Sequence, residues 1–158
     1  MSSDFHIKFD GVEGESTHKD HKGEVEVLSW SWGVSQGANI SGGGMGVGKA
    51  DPLEFTFTHL YDKSSPVLAK YCAGGKHFPT VKMTTRKAGQ GQKDYLTITM
   101  KEVMITHVAP SGTKGGDVHE SVSCKYKDIE FAYKPQSVDG SLGGEVKFGW
   151  NNNTTEIR

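Results

Sequence analysis

The stretch that decides the fold reads EVEVLSWSWGV and spans residues 24–34. Its first apolar residues, Val25 and Val27, alternate with glutamates, which is the period of a strand with one buried face. The apolar phase then moves by one residue, and the next apolar positions are Leu28, Trp30, Trp32 and Val34. A phase change inside one strand predicts a bulge or a sharp bend, a device by which a sheet curls into a barrel.

The same period of two recurs along the chain. Alternating apolar residues predict further strands over about residues 5–9, 53–58, 78–87, 94–108, 120–134 and 145–150. Residues 94–108 form either two strands or one long bent strand. Glycine contributes 21 of the 158 residues, about double its average share, which favours many tight turns. These features predict an antiparallel β-barrel or sandwich.

One segment departs from this pattern and predicts a short helix over about residues 65–74. A serine cap at Ser64 and Ser65 precedes Pro66 at the first helical position, and Gly75 follows the end. The length is typical of one domain and no internal repeat is present, so a single domain over residues 1–158 is expected. The predicted fold class is mainly β, with one short α-helix docked on the sheet and a long extended loop over about residues 35–52.

The extended loop contains a near match to a phosphate-binding loop, GGMGVGKA at residues 43–50. The residue after the lysine is Ala50, where a phosphate-binding loop has the serine or threonine whose hydroxyl holds magnesium. A strand-like run rather than a helix follows Pro52, so nucleotide binding is not expected. A structureless loop of this length in a small domain is usually functional or disordered.

Charge and composition exclude several classes of function. The formal net charge is −1, with no basic block for nucleic acid and no apolar run long enough for membrane insertion. The N-terminus lacks the pattern of a Sec-type signal, so synthesis in the cytoplasm is expected. Cys72 and Cys124 fit no metal or redox motif and are predicted to be free, buried thiols. His18 and His21 have the spacing of half a metal site, but their polar surroundings predict a solvated turn.

Trp30 and Trp32 leave two interpretations open, which are packing in the core and stacking against a bound ligand. The opposite face of that strand carries Ser29, Ser31 and Gly33. A face so small and polar suits a barrel wall around a wide aqueous space, or a surface against which another backbone packs closely. No catalytic, cofactor-binding or metal-binding residue is assigned.

A set of short motifs follows one another in a specific order and spacing. They are VEGES at residues 12–16, EVLSWSWG at 26–33, DKSSPVL at 62–68, GKH at 75–77, RKAG at 86–89, YKPQ at 133–136, DG at 139–140 and GW at 149–150. Together, from about Asp4 to Trp150, they resemble the Hcp family, the haemolysin-coregulated tube proteins of bacterial type VI secretion. The resemblance implies a β-barrel with one helix, six copies closing into a ring, and rings stacking into a hollow tube that carries small effectors.

The resemblance also implies partners and residue roles. The partners are further copies of the chain, in a homohexameric ring and in stacked rings, and the sheath, spike and small effector proteins of the secretion machine. The chain is expected to be secreted without a Sec-type signal, to need no cofactor and not to be an enzyme. The loop after the Trp-x-Trp-Gly strand is expected to meet the next ring through Ile40, Gly42, Gly43, Gly44, Met45, Gly46, Val47 and Gly48. Ser29 and Ser31 are expected to face the lumen, and Trp30 and Trp32 to lie in the core.

Two other functions stay open from the residues alone. One is a monomeric β-barrel that binds a small molecule or a sugar on Trp30 and Trp32. The other is a phosphate- or metal-dependent enzyme that uses the glycine loop or the histidines. The mass in solution separates the first from a ring, and titration with nucleotide or metal tests the second.

Overall fold

The computed structural model of the protein describes residues 2–39, 46–88 and 93–158. Within those ranges the chain forms ten strands and one helix. In chain order they are β1 Ser3–Phe9, β2 Val25–Val27, β3 Ser29–Ser31, β4 Val34–Asn39, β5 Gly46–Pro52, β6 Phe55–Leu60, α1 Ser65–Gly74, β7 His77–Lys87, β8 Asp94–Ser111, β9 His119–Tyr133 and β10 Val146–Asn151.

Eight of these strands form one antiparallel sheet that nearly closes into a barrel. The order across the sheet is β2-β1-β7-β8-β9-β6-β3, and β10 pairs with the second half of β9. The two edge strands, β2 and β3, are separated in sequence only by Leu28, whose N–H donates to the carbonyl of Thr58 at 2.8 Å. The apolar phase change at Leu28 therefore marks the place where the chain passes from one edge of the sheet to the other. The predicted mainly-β barrel is confirmed.

The core lies inside the barrel and follows from the period of two. In β6, the buried residues Phe55, Phe57 and His59 alternate with half-buried Thr56 and Thr58. The large side chains that are fully buried come from most of the barrel wall and from the helix: Phe9, Phe55, Phe57, Phe78, Ile7, Leu68, Met83, Ile98, Met100, Ile105, Ile129 and His59. Burial of one large apolar side chain stabilises a fold by about 1.5–3 kcal/mol, so these buried side chains together provide much of the stability.

The helix α1 has the bounds that proline and glycine predict. Gly75 ends it in the left-handed conformation with φ of 63°, which a residue without Cβ adopts at little cost. Leu68 is fully buried, and the ring of Tyr71 stacks on that of Phe78 at 4.1 Å between centroids. The expected serine cap is wrong. The Ser64 hydroxyl donates to the carboxylate of Asp62 instead and makes no capping bond to the helix.

Residues 35–52 differ from the expected structureless loop. Strands β4 and β5 pair with each other in a two-stranded antiparallel sheet, from Val34 opposite Pro52 to Asn39 opposite Gly46. We call this unit the hairpin. The sequence hides it because glycine and alanine fill much of both strands and show no apolar alternation. Of the expected stacking residues, Gly46, Val47 and Gly48 lie in β5, and Ile40, Gly42, Gly43, Gly44 and Met45 lie outside the described residues.

Candidate functional site

The two tryptophans of the Trp-x-Trp-Gly motif pack against the edge of the core and are half-buried. Trp30 stacks on Phe55 with ring centroids 5.9 Å apart, and Trp32 lies 4.8 Å from the ring of Phe131. The indole N–H of Trp32 donates to the hydroxyl of Tyr126 at 2.5 Å. Each tryptophan therefore packs against a phenylalanine ring of the same chain.

Tyr126 connects the second tryptophan to the root of the hairpin. Its hydroxyl accepts the bond from Trp32 and donates to the carbonyl of Leu53 at 2.7 Å. The N–H of Leu53 donates in turn to the carbonyl of Gly33 at 2.8 Å, which joins the two chain segments that enter and leave the hairpin. Burial raises the pKa of Tyr126 to about 12, so the hydroxyl keeps its proton and its donor role at physiological pH.

Ser29 and Ser31 lie on the exposed face of β3, opposite the tryptophans. Strand register extends this face across β6 and β9, because Ser29 lies opposite Thr58, and Thr58 opposite Ser121. The adjacent row places Ser31, Thr56 and Ser123 side by side in the same way. We call these six residues the hydroxyl face; Ser29 and Ser31 are its exposed members, and Ser123 is buried.

Hydrogen bonds join neighbouring members of the hydroxyl face. The hydroxyls of Ser29 and Thr58 lie 2.6 Å apart, and those of Thr56 and Ser123 lie 3.0 Å apart. The sequence prediction included Ser29 and Ser31 but missed the other four residues. Their signal was present as the alternation of hydroxyl and apolar residues in FTFT and SVSC, at residues 55–58 and 121–124. This alternation does not predict the strand register that brings the two stretches together.

Six of the ten exposed bulky apolar side chains in the described part of the chain lie in two patches at opposite ends of β9. The first patch contains Leu28, Leu60, Tyr61 and Val118, and the first three line a shallow cavity of about 330 Å³. The N–H of Tyr61 donates to the carbonyl of Val118, and Leu60 lies opposite the first residue of β9.

The second patch contains the exposed Tyr133 and Val146 beside the half-buried Tyr95. Val146 lies opposite Tyr133, the last residue of β9, and the Tyr95 and Tyr133 rings meet edge to face at 6.3 Å. Exposed apolar patches of this kind mark interaction sites on soluble proteins.

The structure also shows what became of the phosphate-loop-like stretch and the paired histidines in the sequence. Lys49 and Ala50 lie inside β5 and lead to Pro52 without an intervening helix, which is not the geometry of a phosphate-binding loop. Among the residues that the structure describes, no group of three histidine, cysteine or acidic side chains is arranged to hold a metal ion. The predicted solvated turn is wrong for His21, which is buried against β7 and β8.

The two cysteines differ in their burial. Cys72 and Cys124 are both free, Cys124 is buried, and Cys72 is half-buried rather than buried. Burial raises the pKa of the Cys124 thiol to about 12. Over the described ranges, no helix has the length and apolarity needed to cross a membrane.

Comparisons with known proteins agree with this architecture. A family model described as "Type VI secretion system effector, Hcp" matches residues 6–133. Protein hcp1 of Pseudomonas aeruginosa is 44% identical over 155 residues, which cover 96% of each chain. The solved structure of a type six secretion system protein has a TM-score of 0.93 at 29% identity, with 99% of this chain and 100% of that chain covered. Hcp1 of Salmonella typhimurium has a TM-score of 0.80 at 32% identity, with both chains fully covered. The chain belongs to the Hcp family of type VI secretion system proteins.

Proposed function

We propose that the chain is the structural repeating unit of a type VI secretion tube, in which six copies close into a ring and rings stack around a lumen that carries small effectors. The hydroxyl face is the observation that carries this proposal. It consists of six short, uncharged side chains on neighbouring strands, all but Ser123 at least partly exposed, and two neighbouring pairs of them are hydrogen-bonded. The chain acts in this proposal as a structural protein and not as an enzyme.

The chemistry of the hydroxyl face fits the wall of a conduit. A charged wall would hold cargo of the opposite sign, and an apolar wall would hold exposed apolar surface on the cargo. Hydroxyl groups exchange hydrogen bonds with water and with any polar surface at little net gain. A wall of this kind keeps water in the lumen and lets different small proteins pass.

The two apolar patches support assembly from identical copies. A ring with cyclic symmetry needs a heterologous contact, in which one surface meets a different surface on the next copy. The patch around Leu60 and the patch around Tyr133 are two such surfaces within one chain. The exposed carboxylate of Glu26 borders the first patch, and the exposed Lys134 follows Tyr133 in the second. Neither has an ion-pair partner in the described part of the chain, which favours a contact between the two patches in which both charges are paired.

The hairpin supports stacking of one ring on the next. It pairs with itself and not with the barrel sheet, and its side chains from Val34 to Ala38 are exposed. Its root is fixed to the barrel through Tyr126 and Leu53. An arm with a fixed root and a free surface is suited to contact with a neighbouring ring. Sheath, spike and effector proteins are the further partners in this proposal, with synthesis in the cytoplasm and secretion without a Sec-type signal.

The mass in solution and the shape of the particles test the proposal. Light scattering on purified protein is expected to give six times the chain mass of 17.2 kDa, and negative-stain images are expected to show rings with an open centre. A monodisperse species of 17.2 kDa that binds a sugar or another small molecule would favour the monomeric binding module instead.

A further inference from the structure

Three histidine rings meet on the outer side of β1, where the segment of residues 10–24 crosses it. His6 belongs to β1, and His18 and His21 belong to the segment. The rings of His6 and His21 are stacked, with centroids 4.7 Å apart and planes inclined by 8°. His18 completes the cluster at 5.3 Å from His6 and 5.7 Å from His21.

His21 is positioned between two carboxylates. Its Nδ1 lies 2.9 Å from Glu24 and its Nε2 lies 3.1 Å from Asp94. Carboxylates only accept hydrogen bonds, so each ring nitrogen donates to its carboxylate where it carries the proton. Arg86 brings a cation to the same place, since it donates to the same oxygen of Asp94 at 2.8 Å and to Asp20 at 2.9 Å.

His6 is in the opposite situation. Its side chain is buried, and its Nδ1 has no hydrogen-bond partner in the described structure. Burial and the nearby His21 and His18 lower the pKa of His6 to about 4, so the ring is neutral at physiological pH. The titratable and charged groups around it are Asp4 and Lys8 on β1, His18, Asp20, His21 and Glu24 in the segment, Glu26 on β2, Arg86 on β7 and Asp94 on β8.

Val12, which is buried in the core, holds the start of the segment on the barrel, and side-chain contacts hold the part that follows. The backbone hydrogen bonds of residues 14–24 join members of the segment to one another, as from Gly14 to Gly23 and from Ser16 to Glu24. Beyond Val12, its side-chain contacts to the barrel wall run from His21 to Thr84 and Asp94 and from Asp20 to Arg86. A second contact, from Glu15 to the N–H of Lys63 at 2.8 Å, ties the segment to the turn before α1.

We propose that the histidine cluster is an acid-sensitive latch that holds residues 10–24 against the barrel and releases them when His6 takes up a proton. Protonation places a positive charge on His6, whose ring stacks on His21 at 4.7 Å and lies in the field of the Arg86 guanidinium. Repulsion from the guanidinium and the desolvation of a buried charge with an unpartnered nitrogen both disfavour this state. Release exposes Val12 and Ser16, which are buried in the closed state.

The direction of the pH dependence follows from the lowered pKa of His6. The open state binds the proton at the ordinary pKa of 6.5 and the closed state at about 4. The closed state is therefore fully favoured above pH 6.5, and its advantage is lost as the pH falls from 6.5 towards 4. Between pH 7 and pH 5 the closed-to-open ratio falls by about twentyfold on these values.

Hydrogen exchange measured by mass spectrometry tests the latch on the full chain. After correction for intrinsic exchange rates, protection of peptides within residues 10–24 is expected to fall by about twentyfold from pH 7 to pH 5. Protection of peptides from β9 is expected to stay constant. Equal loss in all peptides would mean global acid unfolding, and constant protection in residues 10–24 would mean no latch; either result overturns the proposal.

Two variants and one spectroscopic measurement complete the test. His6→Phe replaces the imidazole by a phenyl ring, which still stacks on His21 but cannot take up a proton. Protection of residues 10–24 is therefore expected to stay constant from pH 7 to pH 5. His107→Phe, at an exposed position of β8, is the matched control and should keep the wild-type pH dependence. If His6→Phe does not fold, proton NMR of the wild-type imidazoles decides the question. A midpoint for His6 below pH 5 supports the latch, and a midpoint near 6.5 overturns it.

Discussion

At the scale of single residues, Tyr126 shows how one polar group in an apolar place is satisfied. It accepts from the indole of Trp32 and donates to the carbonyl of Leu53, so two other polar groups at the edge of the core depend on this one hydroxyl. A buried donor or acceptor that loses its partner costs more than the bond itself contributes. The three groups are therefore coupled in stability.

Removal of this hydroxyl is the first prediction. Tyr126→Phe leaves the Trp32 N–H and the Leu53 carbonyl without their partner and is expected to lower the free energy of unfolding by about 1–3 kcal/mol. Trp32→Phe removes the donor. Because both substitutions break the same network, the double variant is expected to lose less free energy of unfolding than the sum of the two single losses. Urea denaturation measures all three variants. Tyr71→Phe, which removes a hydroxyl without a hydrogen-bond partner in the described structure, is the control and should unfold like the parent.

The cysteines give a second prediction at this scale. Burial raises the pKa of Cys124 to about 12, and its sulfur contacts the carbonyl of Phe55, so almost no reactive thiolate forms in the native state. Alkylation at pH 8 is expected to modify Cys72 first and Cys124 only after denaturant is added. Mass spectrometry of tryptic peptides identifies the modified residue. Rapid native labelling of Cys124 would contradict its burial.

At the scale of elements, the sequence predicts best where backbone chemistry is local. Pro66 and Gly75 bound α1 because proline fits only the first helical turn and glycine adopts positive φ readily. The phase change at Leu28 predicts the bend because a buried face cannot change sides within an unbroken strand. In both cases the deciding residues are neighbours in the chain.

The elements that the sequence misses depend on distant partners. His21 reads as part of a polar turn, but Asp94 and Thr84, more than sixty residues away, hold it in a buried cluster. The strands of the hairpin lack an apolar period because they form no part of the barrel core. Ser121 and Ser123 join the hydroxyl face only through their register with β6. None of these relations is a local property of the sequence.

The hydroxyl face gives a prediction at the element scale. In a Cys72→Ser background, Ser29→Cys and Ser31→Cys place a thiol on an exposed face, which in the proposed ring lines the lumen. Both thiols are expected to react quickly with a small maleimide. In the assembled protein they are expected to react more than an order of magnitude more slowly with a polymer maleimide that is larger than a folded protein. Thr113→Cys, in an exposed loop, should react with both reagents. Equal rates for the two reagents at Ser29→Cys would place this face on the outside.

At the scale of the whole molecule, the barrel and the hairpin are separate structural units. The barrel sheet runs from β2 to β3 without β4 or β5, and the core residues come from the barrel strands, from α1 and from the buried Val12 that follows β1. Separate units can carry separate contacts. In the proposed assembly, the barrel supplies the contacts within a ring and the hairpin supplies the contacts between rings.

Shortening of the hairpin tests this division and is the last prediction. Replacement of residues 38–48 by a short Gly-Ser linker keeps the root, where Val34 and Ser35 pair with Pro52 and Asp51, and leaves the bond from Tyr126 to Leu53 intact. The variant is therefore expected to fold with a melting temperature close to that of the parent. Light scattering should still give six copies, whereas electron microscopy at high concentration should show single rings without tubes, and secretion should be lost. If the variant is monomeric while the parent forms rings, the hairpin closes the ring; if the variant still forms tubes, the barrel faces carry the stacking contacts.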